Sequence, residues 1–194
     1  ALDLVLPEVV GVRFSGRLRE GVAPTDLTLT MTQLLRKLGV VNKFVEYFGP
    51  GLAGLSLADR AMVANMTPEN GSTLAYFPVD EQTLEYLRLS GRTAEQVALV
   101  EAYYKEQGIF RIGTSPDPQY STVLEVDLGS IEPSLAGPRR PQDRLALGQV
   151  KENFKSFLTQ PKSAGGLELS PETAVEITLK GEKCILRSGA VVIA

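Results

Sequence analysis

The chain has 194 residues, a formal net charge of −3 and no histidine, with an isoelectric point near 5.2, a balance that offers no basic footprint for nucleic acid or an anionic membrane. Its 43% hydrophobic content supplies a sizeable core and argues against disorder. The lone cysteine, Cys184, excludes a disulfide framework and any zinc or iron–sulfur site completed within the chain.

Val10, Val12 and Phe14 alternate with Gly11, Arg13 and Ser15, which predicts a half-buried strand. From Thr25 the apolar positions Leu27, Met31, Leu34, Leu35 and Leu38 predict an amphipathic helix, with Gly39 placed as its C-terminal cap. Phe44 to Phe48 reads as a short strand stopped by Gly49-Pro50-Gly51. Ser56 and Asp59 have capping-box spacing, and Leu57 to Met66 is apolar on nearly every face, which predicts a helix buried on more than one side. Pro68 should end or restart that helix, with Thr67 placed to cap a new turn holding Pro68 first and Glu69 second.

Thr73 to Phe77 reads as a strand and Asp80 to Ser90 as a helix closed by Gly91. Thr93 and Gln96 cap a further helix running to Gln107 and closed by Gly108. Thr122 to Leu128 alternates as a strand, and Val150, Phe154, Phe157 and Leu158 mark a helix. Val175, Ile177 and Leu179, then Lys180-Gly181-Glu182, then Cys184 to Leu186 predict a hairpin, and Ala190 to Ala194 a buried strand.

Strands alternating with helices over residues 9 to 90 predict an α/β fold: a mainly parallel sheet with helices on both faces, plus an antiparallel pair in the tail. Two lobes are expected, 1–115 and 116–194, cut within the stretch 109–119; the proline-rich 133–141 is a second candidate boundary. No internal repeat is visible. The absence of any apolar run near ~20 residues and of a basic-then-apolar leader predicts a soluble protein of the cytoplasm with no membrane partner. The start at Ala1 and the apolar close at Ala194 predict a piece of a longer protein.

Three stretches are candidate sites. Gly49-Pro-Gly-Leu-Ala-Gly54 satisfies G-x-G-x-x-G between a strand and a helix, with Asp80 near the place of a ribose-binding acid, so a dinucleotide site stands against a tight structural turn. Pro50 removes one amide from that turn, and the helix is capped only at Ser56, beyond the third glycine. Asn65 and Glu69 lie four residues apart and would share a face on an unbroken helix. A carboxylate beside so apolar a helix needs a partner, which makes Glu69 a candidate to orient a histidine or join proton transfer, against the plainer reading of a solvated loop acid. Arg139, Arg140 and Arg144 crowd a Gly/Pro-rich loop, suited to a carboxylate or a phosphate, or to a plain exposed linker or interdomain contact. Glu46 reads as an edge residue and Cys184 as a packed or edge thiol. Asn70-Gly71-Ser72 matches a glycosylation sequon that a cytosolic chain would not use.

Taken together, Leu6-Pro-Glu-Val-Val-Gly11, Gly39-Val-Val-Asn-Lys-Phe-Val-Glu-Tyr-Phe-Gly-Pro-Gly51, Leu57-Ala-Asp-Arg-Ala-Met-Val-Ala-Asn-Met-Thr-Pro-Glu69, Phe77-Pro-Val-Asp80, Gly137-Pro-Arg-Arg-Pro-Gln-Asp143 and Gly189-Ala-Val-Val-Ile-Ala194 closely resemble the aconitases, in the bacterial and iron-regulatory-protein branch. The resemblance runs in order along nearly the whole chain and is weakest over 160–185.

It implies an aconitase-like fold and a lyase of the tricarboxylic acid cycle that interconverts citrate and isocitrate through cis-aconitate on a [4Fe–4S] cluster. It also implies that the cluster cysteines, the working histidines and most substrate arginines lie in the remaining domains of the same polypeptide, so that this chain alone binds no cluster and is inactive. Glu69 then looks like the glutamate that pairs with an active-site histidine, and Asn65 like the asparagine that hydrogen-bonds at the cluster. Two alternatives stay within the resemblance: a 2-methylcitrate or 2-methylisocitrate dehydratase, and messenger-RNA binding by the cluster-free protein through Arg139, Arg140 and Arg144. The dinucleotide module becomes a remote alternative, and the glycines a structural turn.

Overall fold

Alternation of side chains and β-branched residues build four strands that pair into one sheet. In the computed structural model, which describes residues 5–193, β1 (Val9–Ser15), β2 (Phe44–Phe48), β3 (Leu74–Tyr76) and β4 (Thr122–Asp127) lie in the order β3-β2-β1-β4. All three pairings are parallel, with Val10 beside Val45 and Thr122, and Glu46 beside Tyr76. The parallel α/β sheet expected from the sequence is present.

The connections are helical, as parallel strands require. They are α1 (Pro24–Leu38), α2 (Leu57–Asn65), the single turn α3 (Thr67–Asn70), α4 (Glu81–Leu89) and α5 (Ala94–Glu106). Their ends follow local chemistry. Gly39 closes α1 at φ 80°, and Thr93 with Gln96 makes the capping box of α5. Val10, Val12, Phe14, Val45 and Tyr47 on one sheet face meet Leu27, Met31 and Leu35 of α1 in the core. Tyr47 stacks between Phe14 and Phe77, at ring-centroid distances of 5.5 and 4.2 Å. Leu38, predicted on the buried stripe, is exposed.

The other sheet face carries Gly11, Arg13, Glu46, Phe48 and Tyr76, by the period of two. The segment before β4 covers part of it. The Tyr120 ring lies against Phe48, and Asp117 takes the Arg13 Nε–H at 2.7 Å. A Cβ on Gly11 would stand 2.2 Å from the Tyr120 ring, so this close approach requires glycine.

The described residues divide into two compact units between Leu145 and Ala146, 5–145 and 146–193. β4 completes the first sheet, and the loop that follows it docks on a buried polar face of α1. There Asp26 Oδ1 accepts the Ser134 N–H at 2.8 Å, and Arg144 Nε donates to Thr30 Oγ1 at 3.0 Å. Two-residue strands, β5 (Ser134–Leu135) and β6 (Leu145–Ala146), fall in this stretch.

In the second unit, α6 (Val150–Thr159) precedes β7 (Ala174–Leu179) and β8 (Glu182–Arg187). These two strands form the expected antiparallel hairpin. Lys180 and Gly181 take φ of 51° and 86°, the two positive values that a tight two-residue hairpin turn needs. The buried strand expected at 190–194 is not formed over the described residues 190–193. No strand pairs there, and Val191, Val192 and Ile193 are exposed; Ala194 lies outside the described residues.

Candidate functional site

The route to the candidate residues starts at the end of β2. Gly49 has φ 94°, and a Cβ there would lie 2.5 Å from the Phe14 carbonyl oxygen; one on Gly51 would lie 2.9 Å from the Phe14 backbone. Both glycines are thus required by the approach of β1, not by a phosphate. Residues Pro50–Gly54 form a short 3-10 turn, and α2 begins only at Leu57. The helix N-terminus lies beyond the third glycine, so the anion cradle of a dinucleotide site is not built. Asp80 is committed elsewhere too, to Arg60.

Arg60 was not read from the sequence as anything but a helix residue, yet it is one of the most deeply buried side chains, at 1% exposure. Its Nη1 and Nη2 reach Oδ1 and Oδ2 of Asp80 at 3.0 and 2.8 Å. Its Nε donates to the Leu55 carbonyl and its Nη2 to the Leu52 carbonyl, at 3.2 and 2.9 Å. A second arginine, Arg111, donates to the Gly49 carbonyl at 2.7 Å. The turn between β2 and α2 is therefore held by two guanidinium groups. The only sequence signal was an arginine within a helix otherwise read as apolar.

α2 starts as predicted. The Ser56 hydroxyl accepts the Asp59 N–H at 3.2 Å, and Asp59 Oδ2 accepts the Ser56 N–H at 2.9 Å. The expectation of burial on several sides is not met: only Arg60 and Val63 are buried, and Ala58, Ala61 and Asn65 face outward. Alanine counts as apolar in a periodicity but has little surface to hide, so three alanines exaggerated the apolar character.

The helix breaks where Pro68 requires, but one residue is misassigned. Met66 occupies the N-cap position of α3, and Thr67, expected as the cap, is its first residue and donates its hydroxyl back to the Ala64 carbonyl. The new turn closes with Gly71 at φ 92°, and Asn70 Oδ1 accepts the Ser72 N–H at 2.8 Å.

On this frame Asn65 is exposed at the end of α2, and Glu69 is half-buried on α3. The Glu69 Oε2 atom is enclosed and accepts no hydrogen bond, and the nearby Ser72 hydroxyl is likewise buried without a partner. Enclosed acceptors are nearly always satisfied in folded proteins, so such an oxygen marks a place where a donor belongs. Solvent does not reach Oε2, so a donor to it comes from within the chain, and a group from another part of the protein meets only the outer edge of the half-buried carboxylate.

The arginine loop is folded onto itself, since a Cβ on Gly137 would strike the Asp143 carbonyl at 2.2 Å. Arg139 and Arg140 are exposed. Arg144 is held by Thr30 and, at 3.3 Å, by Glu132. The three are therefore not equivalent. Glu46, read as an edge residue, lines a cavity of about 260 Å³ together with Phe48, Tyr76 and Arg111. Next to it the Tyr120 phenol is pushed up by burial and then by the Glu46 carboxylate.

The donor set does not fit an iron–sulfur cluster. Cys184 stands half-buried on the hairpin, the chain has no histidine, and among the described residues no three His, Cys, Asp or Glu side chains converge on a metal-sized site. No described helix is long and apolar enough to cross a membrane.

Comparison with known proteins bears on all 194 residues. A family model described as the aconitase family (aconitate hydratase) matches residues 1–194. The chain is 50% identical over 193 residues to aconitate hydratase A of Bradyrhizobium diazoefficiens, covering 100% of this chain and 21% of that protein. It is 51% identical over 195 residues to the enzyme of the same name from Thermus thermophilus, covering 98% and 22%, and 53% identical over 181 residues to that of Pseudomonas aeruginosa, covering 93% and 19%. The chain thus spans about a fifth of the length of these relatives.

Proposed function

The chain belongs to the aconitase family, and from that premise we propose that the whole protein is an aconitate hydratase, interconverting citrate and isocitrate through cis-aconitate, to which this chain contributes one wall of the active site. The observation that carries the proposal is the family match over residues 1–194, which includes the half-buried Glu69 carboxylate on the turn after α2. Glu69 accepts an N–H from a histidine supplied by another part of the protein and so fixes that ring's orientation and tautomer. Asn65, exposed at the end of α2, directs its amide toward the cluster side of the site.

A [4Fe–4S] cluster supplies Lewis-acid activation of the substrate, and its cysteine ligands come from outside this chain. Cys184 takes no part. The chain by itself is inactive, and the whole protein works in the cytoplasm. For the messenger-RNA reading of Arg139, Arg140 and Arg144 no observation speaks, and Arg144 is already held by Thr30 and Glu132.

The test is an assay of the full-length, cluster-loaded protein and of residues 1–194 alone, with citrate and with 2-methylcitrate. Turnover of citrate by the full-length protein only is the expected result. A preference for 2-methylcitrate would move the assignment to the methylcitrate branch, and turnover by residues 1–194 alone would overturn the shared-site reading.

A further inference from the structure

The helix that carries Asn65 seats a charged side chain, Arg60, at the centre of its buried side. α2 fully buries Arg60 and Val63, with Leu57 and Ala64 half-buried beside them, so its apolar stripe is narrow and has a charged group at its centre. Arg60 supplies a further constraint. Its planar guanidinium meets four acceptors: the carbonyls of Leu52 and Leu55 before the helix, and both carboxylate oxygens of Asp80 after β3. Donors diverging in one plane cannot satisfy all four in more than one orientation. Asp80 is itself anchored at the start of α4, where its N–H donates to Thr83 Oγ1.

The geometry links this clamp to the site. At about 100° per residue, Asn65 stands five residues beyond Arg60 and so about 140° round the helix, on the side away from the clamp. Locking the buried side therefore sets the direction of the exposed side. Met66 alone joins the end of α2 to the turn that holds Glu69.

We infer that the Arg60–Asp80 pair is a positioning device for the active site, setting the rotation of α2 and thereby the presentation of Asn65 and Glu69. The inference rests on the reading of those two residues given above. A buried ion pair is a weak source of net stability, since an apolar pair of similar size often does as well, but in some proteins it specifies one arrangement where apolar side chains tolerate several. The positioning role and a purely structural role therefore make different predictions for an apolar replacement.

The experiment uses the full-length protein with the paired substitution Arg60→Met and Asp80→Leu. The expected result is a urea midpoint close to that of the parent, amide exchange over residues 61–71 about tenfold faster, and kcat for citrate lowered about tenfold with little change in KM and a displaced pH profile. Parental exchange and kcat in the folded double variant would overturn the inference. If the double variant does not fold, Arg60→Lys, which keeps the charge and loses the fork, is read the same way: faster exchange with lower kcat supports the role, and parental values of both overturn it. Glu69→Gln separates this inference from the reading beneath it. Parental turnover in Glu69→Gln defeats the site reading, whereas slow turnover there with parental behaviour of the Arg60/Asp80 variant defeats only the positioning role.

Discussion

The two units bury their apolar side chains very differently. Every fully buried hydrophobic residue described, except Leu158, lies in the first unit. In the hairpin of the second, Val175, Leu179 and Ile185 are 56%, 61% and 60% exposed. Both units have well-formed local structure, so local propensity does not separate them. What differs is cover: the β1–β4 sheet has α1 laid across one face, whereas an isolated two-stranded hairpin is marginal in water. Regular secondary structure therefore says little about where stability resides.

The largest expected effect tests that contrast directly. Phe14→Ala removes an enclosed ring stacked on Tyr47 and should cost about 3–5 kcal/mol in urea unfolding. A loss well below ~2 kcal/mol would mean that the first unit is not the stable one. Gly49→Ala comes next. Its Cβ would press on the Phe14 carbonyl at 2.5 Å in a backbone conformation of φ 94°, for an expected loss of about 1–3 kcal/mol.

A pH experiment sharpens the same comparison with a smaller effect. Burial pushes the Tyr47 phenol above its ordinary value of 10.0. The folded protein keeps that proton where the unfolded chain releases it, so the contribution is complete below pH 10.0 and is lost as pH rises through the raised folded value. Tyr47→Phe should reduce this alkaline loss. Because the Tyr47 hydroxyl has no hydrogen-bond partner, the same variant should be unchanged or up to ~1 kcal/mol more stable at neutral pH. A marked neutral-pH loss would contradict the placement of the hydroxyl. The smallest effect belongs to the hairpin: Leu179→Ala should change the urea midpoint by less than ~0.5 kcal/mol equivalent.

What could be read from the sequence was what local chemistry decides. The Ser56/Asp59 and Thr93/Gln96 boxes, the glycine closures and the Lys180-Gly181 turn each depend on residues a few positions apart. Long-range pairing was beyond reach. Nothing local announces that β4 lies beside β1, that Asp26 receives the Ser134 amide, or that Arg60 is buried against Asp80. Arginine is read as a surface residue unless its partner is known, and Asp80 was weighed as a ribose acid for the same reason. At the site, the residue pattern left Glu69 between a functional carboxylate and a solvated loop acid, and the family resemblance favoured the first. The enclosed Glu69 oxygen depends on how the turn after Pro68 is folded, and the misplacement of Thr67 by one position shows how far a proline-restarted turn escapes sequence reading.

The central claim is that Glu69 serves a shared active site rather than the fold. Its most direct test is Glu69→Gln in the full-length, cluster-loaded protein, with citrate turnover and urea unfolding measured on the same preparation. A kcat lowered at least ~10-fold with an unchanged unfolding midpoint is the predicted result. Parental kcat, or a fall in kcat matched by a collapse of stability, would contradict it.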